Sequence, residues 1–146
     1  MIKNVTLKKK IQKDWDGVRK FQSMIQAHLN ASGGIIGGGA THQLRNISHN
    51  LMLLFAFSVL ETALKQLRDE GAFAGNSNSL KRLMYSSKNN LTWIDFKLID
   101  EARDKRNKVA HQQKTLSRAD CWKYIDAIEK ELVSWNIVVD PYMFSH

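Results

Sequence analysis

Between Val5 and Leu29 the apolar residues Leu7, Ile11, Trp15, Val18, Phe21, Ile25 and Leu29 recur at steps of three and four. That period brings them to one side of an amphipathic helix. The opposite side carries Lys8, Lys9, Lys10, Lys13, Arg19 and Lys20, either a solvated face or part of a track for a polyanion. Five glycines in the stretch Ala31–Ala40 then stop the helix and predict a flexible loop. Glycine-rich turns also cradle phosphates, but this one lacks a Gly-Lys-Ser/Thr ending and no strand pattern precedes it. A connector, or a lid near an active site, fits it better.

From Thr41 to about Glu70 a second helix is predicted, with two apolar stripes. Leu53, Phe57, Leu60, Leu64 and Leu67 make one, and Leu44, Ile47, Leu51, Leu54, Phe55 and Ser58 the other. A helix apolar almost all round belongs at the centre of a bundle or at a subunit interface. Asp69, Glu70 and Gly71 end it, and a polar segment leads to a short helical piece from Leu80 to Ser87. Thr92 and Asp95 form a capping box for a third long helix, in which Phe96, Ile99, Ala102, Arg103, Arg106 and Ala110 share a side. It frays at His111–Lys114. Ser117 and Asp120 open the last helix, with Trp122, Ile125, Ile128, Leu132 and Trp135 facing inward, up to about Val138.

The fold class implied is all-α, an up-and-down four-helix bundle with one additional short helix. A single proline, Pro141, agrees with it. The 146 residues suffice for one domain with a real core. The apolar run Leu51–Leu60 falls far short of the roughly 18 to 20 residues that span a bilayer, and no signal-peptide pattern follows the basic amino terminus. One cysteine, Cys121, excludes an intrachain disulfide and a cysteine-cluster zinc site. These features predict a cytoplasmic protein with no membrane partner.

Charge narrows the choice of partner. A formal +8 and a pI near 9.7 raise the local concentration of polyanions, RNA foremost. A basic helical DNA-binding regulator has the same charge, but no recognition-helix pair stands out. No His-Glu-x-x-His or EF-hand pattern occurs, and His28, His42 and His146 form no ligand set, so neither a catalytic metal nor a cofactor is implied.

The chemistry concentrates in Arg103–His111. Arg106 keeps its charge at any working pH and forks onto phosphate oxygens, while His111 exchanges a proton near neutrality. In a regular helix residues five apart diverge by about 140°, so the two converge in one chain only if the helix ends or tightens between them. The bland alternative has Arg106 paired with a carboxylate and His111 capping the helix C-terminus.

The sequence Arg106-Asn107-…-His111 resembles the Arg-x4-6-His signature of the HEPN superfamily, helical proteins that include metal-independent ribonucleases of defence and toxin systems. Glu61-x3-Lys65 is similar to an auxiliary element of some HEPN groups, although Gln66 stands where a second basic residue often follows; the spacing also makes an ordinary ion pair. The resemblance implies a homodimer whose two copies of Arg106, Asn107 and His111 share one cleft and cut RNA to a 2′,3′-cyclic phosphate and a 5′-hydroxyl. Asn107 would orient the histidine or hold a phosphate oxygen. It also implies a possible cognate antitoxin protein, or, in inactive members, a noncatalytic adaptor. Some HEPN toxins carry a modified tyrosine two places after the histidine; Gln113 here makes that regulation unexpected. Arg103 is a supporting candidate. Arg45 and His49, four apart on one helical face, are either an extra phosphate contact or a surface or buried polar pair.

Overall fold

The computed structural model describes residues 2–32, 39–112 and 114–139, with side chains given outside 28–32 and 39–46. Five helices follow one another: α1 (Val5–Ser32), α2 (Gly39–Asp69), α3 (Leu80–Ser87), α4 (Phe96–Gln112) and α5 (Arg118–Ser134). No strand occurs among the described residues. The chain is all-α, as the three-and-four periodicity required.

α2 packs against α1, α3, α4 and α5. Its first stripe, Leu53, Phe57, Leu60, Leu64 and Leu67, is fully buried, whereas Ile47, Leu51 and Phe55 of the second lie open. Ile47–Asp69 is long and apolar enough to cross a membrane, with a mean hydropathy of 1.5 over 18 residues. Counting only uninterrupted apolar residues understated it. About half of that stretch (56%) is buried inside the protein, which accounts for its composition.

Contacts give the helix directions. The amides of Lys3 and Asn4 donate to the Glu70 carboxylate, while Gly17 and Phe21 share a groove with Leu51 and Phe55; α1 and α2 are therefore antiparallel. The Arg106 guanidinium of α4 lies over the Phe57 ring, and Leu116 bonds through its backbone to Asn50 at 2.8 and 3.0 Å. So α4 descends α2 in the opposite sense. α1 is tied to α5 by Glu129, which accepts from the Trp15 indole (2.7 Å) and Arg19 (2.6 Å), while Asp126 takes a second Arg19 nitrogen (2.7 Å). Arg19 thus leaves the expected basic face. Lys9, Lys10, Lys13 and Lys20 remain exposed.

Two helix ends depart from expectation. Asp95, not Thr92, caps α4: its carboxylate accepts the Leu98 amide at 3.1 Å and its carbonyl the Ile99 amide at 3.2 Å. Thr92 is held elsewhere, its carbonyl accepting the Trp135 indole N–H at 3.0 Å. The amides of Ile94 and Asp95 donate to the buried carboxylate of Glu131. The entry to α4 is thereby fastened to α5. Ser117 does cap α5, accepting the Asp120 amide at 3.1 Å.

α5 stops at Ser134, four residues short of Val138, because Asn136 turns left-handed at φ 56°. The Asn136 amide reaches the Val133 carbonyl (2.9 Å) and Ile137 that of Leu132 (3.0 Å), a Schellman closure. Ile137 and Val138 still bury their side chains, so the apolar pattern continues past the helix that it was taken to mark. Gly71, at φ 88°, closes α2 the same way. Trp93 packs edge-on against Trp135 and Phe96 at 4.7 and 5.1 Å between centroids, linking the residue just past α5 to the start of α4.

Candidate functional site

The period of α4 that buries Ile99 and Ala102 carries Arg103 and Arg106 to the same side, against α2. Arg103 is almost wholly buried, and its Nε donates to Asp100 at 2.9 Å. The other Asp100 oxygen accepts the Tyr85 hydroxyl at 2.7 Å, joining α3 to the pair. Burial pushes the Asp100 carboxyl up, but the hydrogen bonds from Tyr85 and Arg103 outweigh it and hold the group below its ordinary value. Arg103 therefore anchors α4 rather than presenting its charge.

Arg106 is different. Its Nη2 donates to the Asn107 side chain at 2.8 Å, and the guanidinium sits 5.6 Å from the Phe57 ring centroid. Its Nε is sealed from solvent with no hydrogen-bond partner. Burial lowers the pKa; the negative charge of Glu61 on α2 opposes this and Arg103 adds repulsion. Among the six arginines with described side chains, Arg19, Arg68 and Arg103 each have a carboxylate within 4.0 Å, whereas Arg82, Arg106 and Arg118 have none, and of these three it is Arg106 that holds a sealed, unpartnered guanidinium nitrogen. Even lowered, a guanidinium stays protonated at neutral pH. The arrangement is a half-buried cation, aimed by a neutral amide, with donors to spare.

Glu61 and Lys65 form the i,i+4 ion pair that their spacing implied, at 3.0 Å. The α2–α4 seam thus gathers Glu61, Lys65, Arg103, Arg106 and Asn107. His111 does not join them. α4 continues without a break through Gln112, held on its outer side by Glu101–Lys105 and Asp104–Lys108 pairs at 3.5 Å. The expected fraying at His111 does not occur, and His111 stands exposed in the last turn, about 140° round from Arg106. Within this chain Asn107 accepts from Arg106 and is not hydrogen-bonded to the imidazole of its own helix.

His49 takes the second of its two alternatives, a buried polar group: it is completely buried, 6.4 Å from the Trp122 ring, and out of reach of a phosphate. The side chain of Arg45, residues 33–38 of the glycine-rich stretch and Gln113 lie outside the described residues, while the ends of that stretch belong to α1 and α2.

Sequence reasoning missed Asp100, Tyr85 and Glu131. Asp100 had a local signal, standing three places before Arg103 on a helix. Glu131 had none, since the amides it holds are 36 and 37 residues away in the chain. Among the described residues no three His, Cys, Asp or Glu side chains group to hold a metal ion. Two surface grooves, of about 410 Å³ between the α4 entry and α5 and about 270 Å³ between α1 and α2, are lined by neither Arg106 nor His111. No family model matches the chain, and no curated protein or solved structure gives a match.

Proposed function

We propose that the chain is a HEPN-type, metal-independent endoribonuclease of the cytoplasm, an up-and-down four-helix bundle with one short extra helix that acts as a homodimer. The observation that carries this reading is Arg106: half-buried, aimed by Asn107, beside the Glu61–Lys65 pair and with no carboxylate of its own. A guanidinium in that state is matched to a phosphate oxygen. The divergence of Arg106 and His111 within one helix fits a site built from two copies, in which each imidazole serves a phosphate held by the partner's guanidinium.

The reaction asks for three things. One imidazole removes the 2′-hydroxyl proton as that oxygen attacks phosphorus in line. The guanidinium groups stabilise the pentavalent phosphorane, and the second imidazole, as imidazolium, protonates the departing 5′-oxygen. The products are a 2′,3′-cyclic phosphate and a 5′-hydroxyl, and the two histidines end with their protonation states exchanged. A defence or toxin role, with a cognate antitoxin protein, goes with this class.

Purified full-length protein in EDTA should cut labelled RNA with those ends, and Arg106→Ala or His111→Ala should abolish cutting while circular dichroism stays unchanged. Cleavage persisting in both variants refutes the site. A wild type that binds RNA without cutting it favours a noncatalytic adaptor, a reading that the open apolar face of α2 also suits.

A further inference from the structure

α3 and its flanks carry charge of one sign. Gly71 to Ile94 holds Lys81, Arg82 and Lys88 and not one Asp or Glu, and among the described residues no carboxylate lies within 4.0 Å of any of the three. Leu80, Leu83, Met84 and Ser87 turn inward. That leaves Lys81, Tyr85 and Lys88, at i, i+4 and i+7, along one outer side, a stripe of cation, ring and cation about 10 Å long.

The ring in this stripe is open and held in place. Tyr85 is 46% exposed, its hydroxyl donates to Asp100 at 2.7 Å, and it meets Phe96 edge to face with centroids 5.2 Å apart. The Lys88 ammonium stands 4.9 Å from the Phe96 centroid and 5.9 Å from that of Tyr85, so charge and ring are presented together. Asp100 is itself bound by Arg103 at 2.9 Å, and an anion arriving at the stripe meets little repulsion from it. A tyrosine whose hydroxyl is engaged within the protein offers a ligand its face.

We propose that the α3 stripe binds single-stranded RNA, with a base stacked on Tyr85 and phosphates on Lys81 and Lys88. The combination selects the occupant. A duplex offers phosphates to the lysines but keeps its bases stacked on one another, away from the ring. An acidic peptide satisfies the lysines and leaves the ring unused. A single strand alternates charge with an unstacked aromatic face, as the stripe does. That the strand is RNA rests on the ribonuclease reading, and the position suits it. Arg103 bonds the same Asp100 as Tyr85 and lies close enough to Arg106 for their charges to repel. Asp100 and Arg106 are separated by about 9 Å of rise along α4, so a strand stacked on Tyr85 passes within a few nucleotides of the guanidinium.

Fluorescence anisotropy of the full chain with a labelled 2′-O-methyl oligonucleotide of about ten residues, which has no 2′-hydroxyl to attack, tests this. Tyr85→Leu should weaken binding by about 10- to 100-fold. Tyr85→Phe, which keeps the ring and gives up the bond to Asp100, should bind like wild type. The blunt duplex of the same sequence should bind all three proteins alike, which also shows the fold intact. Lys81→Gln combined with Lys88→Gln should lower the slope of log K against log salt by about 1.4, at roughly 0.7 per phosphate contact on a single strand. Equal losses in Tyr85→Phe and Tyr85→Leu, which would make the residue a brace for Asp100, overturn the assignment. So do an equal loss on the duplex, an unchanged salt slope, a wild type without affinity, or displacement of the oligonucleotide by polyglutamate as readily as by its unlabelled self. The readout is affinity, so it separates from the nuclease reading: a Tyr85-dependent complex in which unmodified RNA stays intact keeps the stripe and removes the activity, and cleavage by a protein whose affinity ignores Tyr85 does the reverse.

Discussion

If Arg106 is present for a phosphate, its removal should cost activity and spare the fold. Arg106→Met keeps an unbranched stem over Phe57, with a sulfur able to contact the ring, while deleting the charge. On the debit side the change gives up the Asn107 hydrogen bond at 2.8 Å and the contact over Phe57, together about 1.5–2 kcal/mol. On the credit side it relieves the sealed, unpaired Nε and the desolvation that lowers the guanidinium pKa. An unsatisfied buried donor costs about 1–3 kcal/mol, discounted here because half of the group meets solvent. The two nearly cancel, so stability should stay within about 1 kcal/mol of wild type, or about 2–4 °C in Tm for a chain of this size. Cleavage should fall by about 100- to 1000-fold.

Arg103→Met supplies the contrast. It strands Asp100 without its cation and loosens the Tyr85 link, and should cost about 2 kcal/mol or more. Urea denaturation monitored by circular dichroism, run beside an RNA cleavage assay, reads both quantities. A loss above about 2 kcal/mol in Arg106→Met would identify the guanidinium as a structural group and sink the phosphate argument.

Two further predictions concern the frame that holds the site. Burial raises the Glu131 carboxyl above its ordinary value, the amide hydrogen bonds from Ile94 and Asp95 only partly offsetting it. A carboxyl with a raised folded-state pKa contributes stability below its unfolded value and loses it as pH climbs through the folded value. Wild type should therefore lose ground relative to Glu131→Gln as pH rises above the ordinary glutamate range; a gap that widens in favour of wild type would mean that the helix N-terminus of α4 governs instead. Asn136→Val, placing a branched residue at φ 56°, should lower stability by about 1–2 kcal/mol while Asn136→Gly holds or raises it slightly, as thermal melts would show; equal melting of the two would remove the Schellman closure as the reason α5 ends there.

The helices themselves were legible along the chain, because a three-and-four period is a local property and each long element has enough turns to display it. The short piece Leu80–Ser87 and the Ser117 cap were readable for the same reason, as was the Glu61–Lys65 pair, four residues apart on one helix. So were the residue types able to meet a phosphate. Where partners are distant in sequence, the tertiary structure decided. Asp95 replaced Thr92 as the cap because Glu131 on α5 and Trp135, just past its end, hold the preceding backbone. Which stripe of α2 faces the core and which stays open depends on where α1, α4 and α5 stack around it, and periodicity alone treats both stripes alike. Burial of His49 and exposure of Phe21 follow from that stacking. Arg103 and Arg106, three residues apart and chemically identical, differ only in what surrounds them: Asp100, held by the Tyr85 hydroxyl, neutralises one, and the ring of Phe57 supports the other without satisfying it. A motif states which groups a chain owns, and packing determines which of them remain available to a ligand.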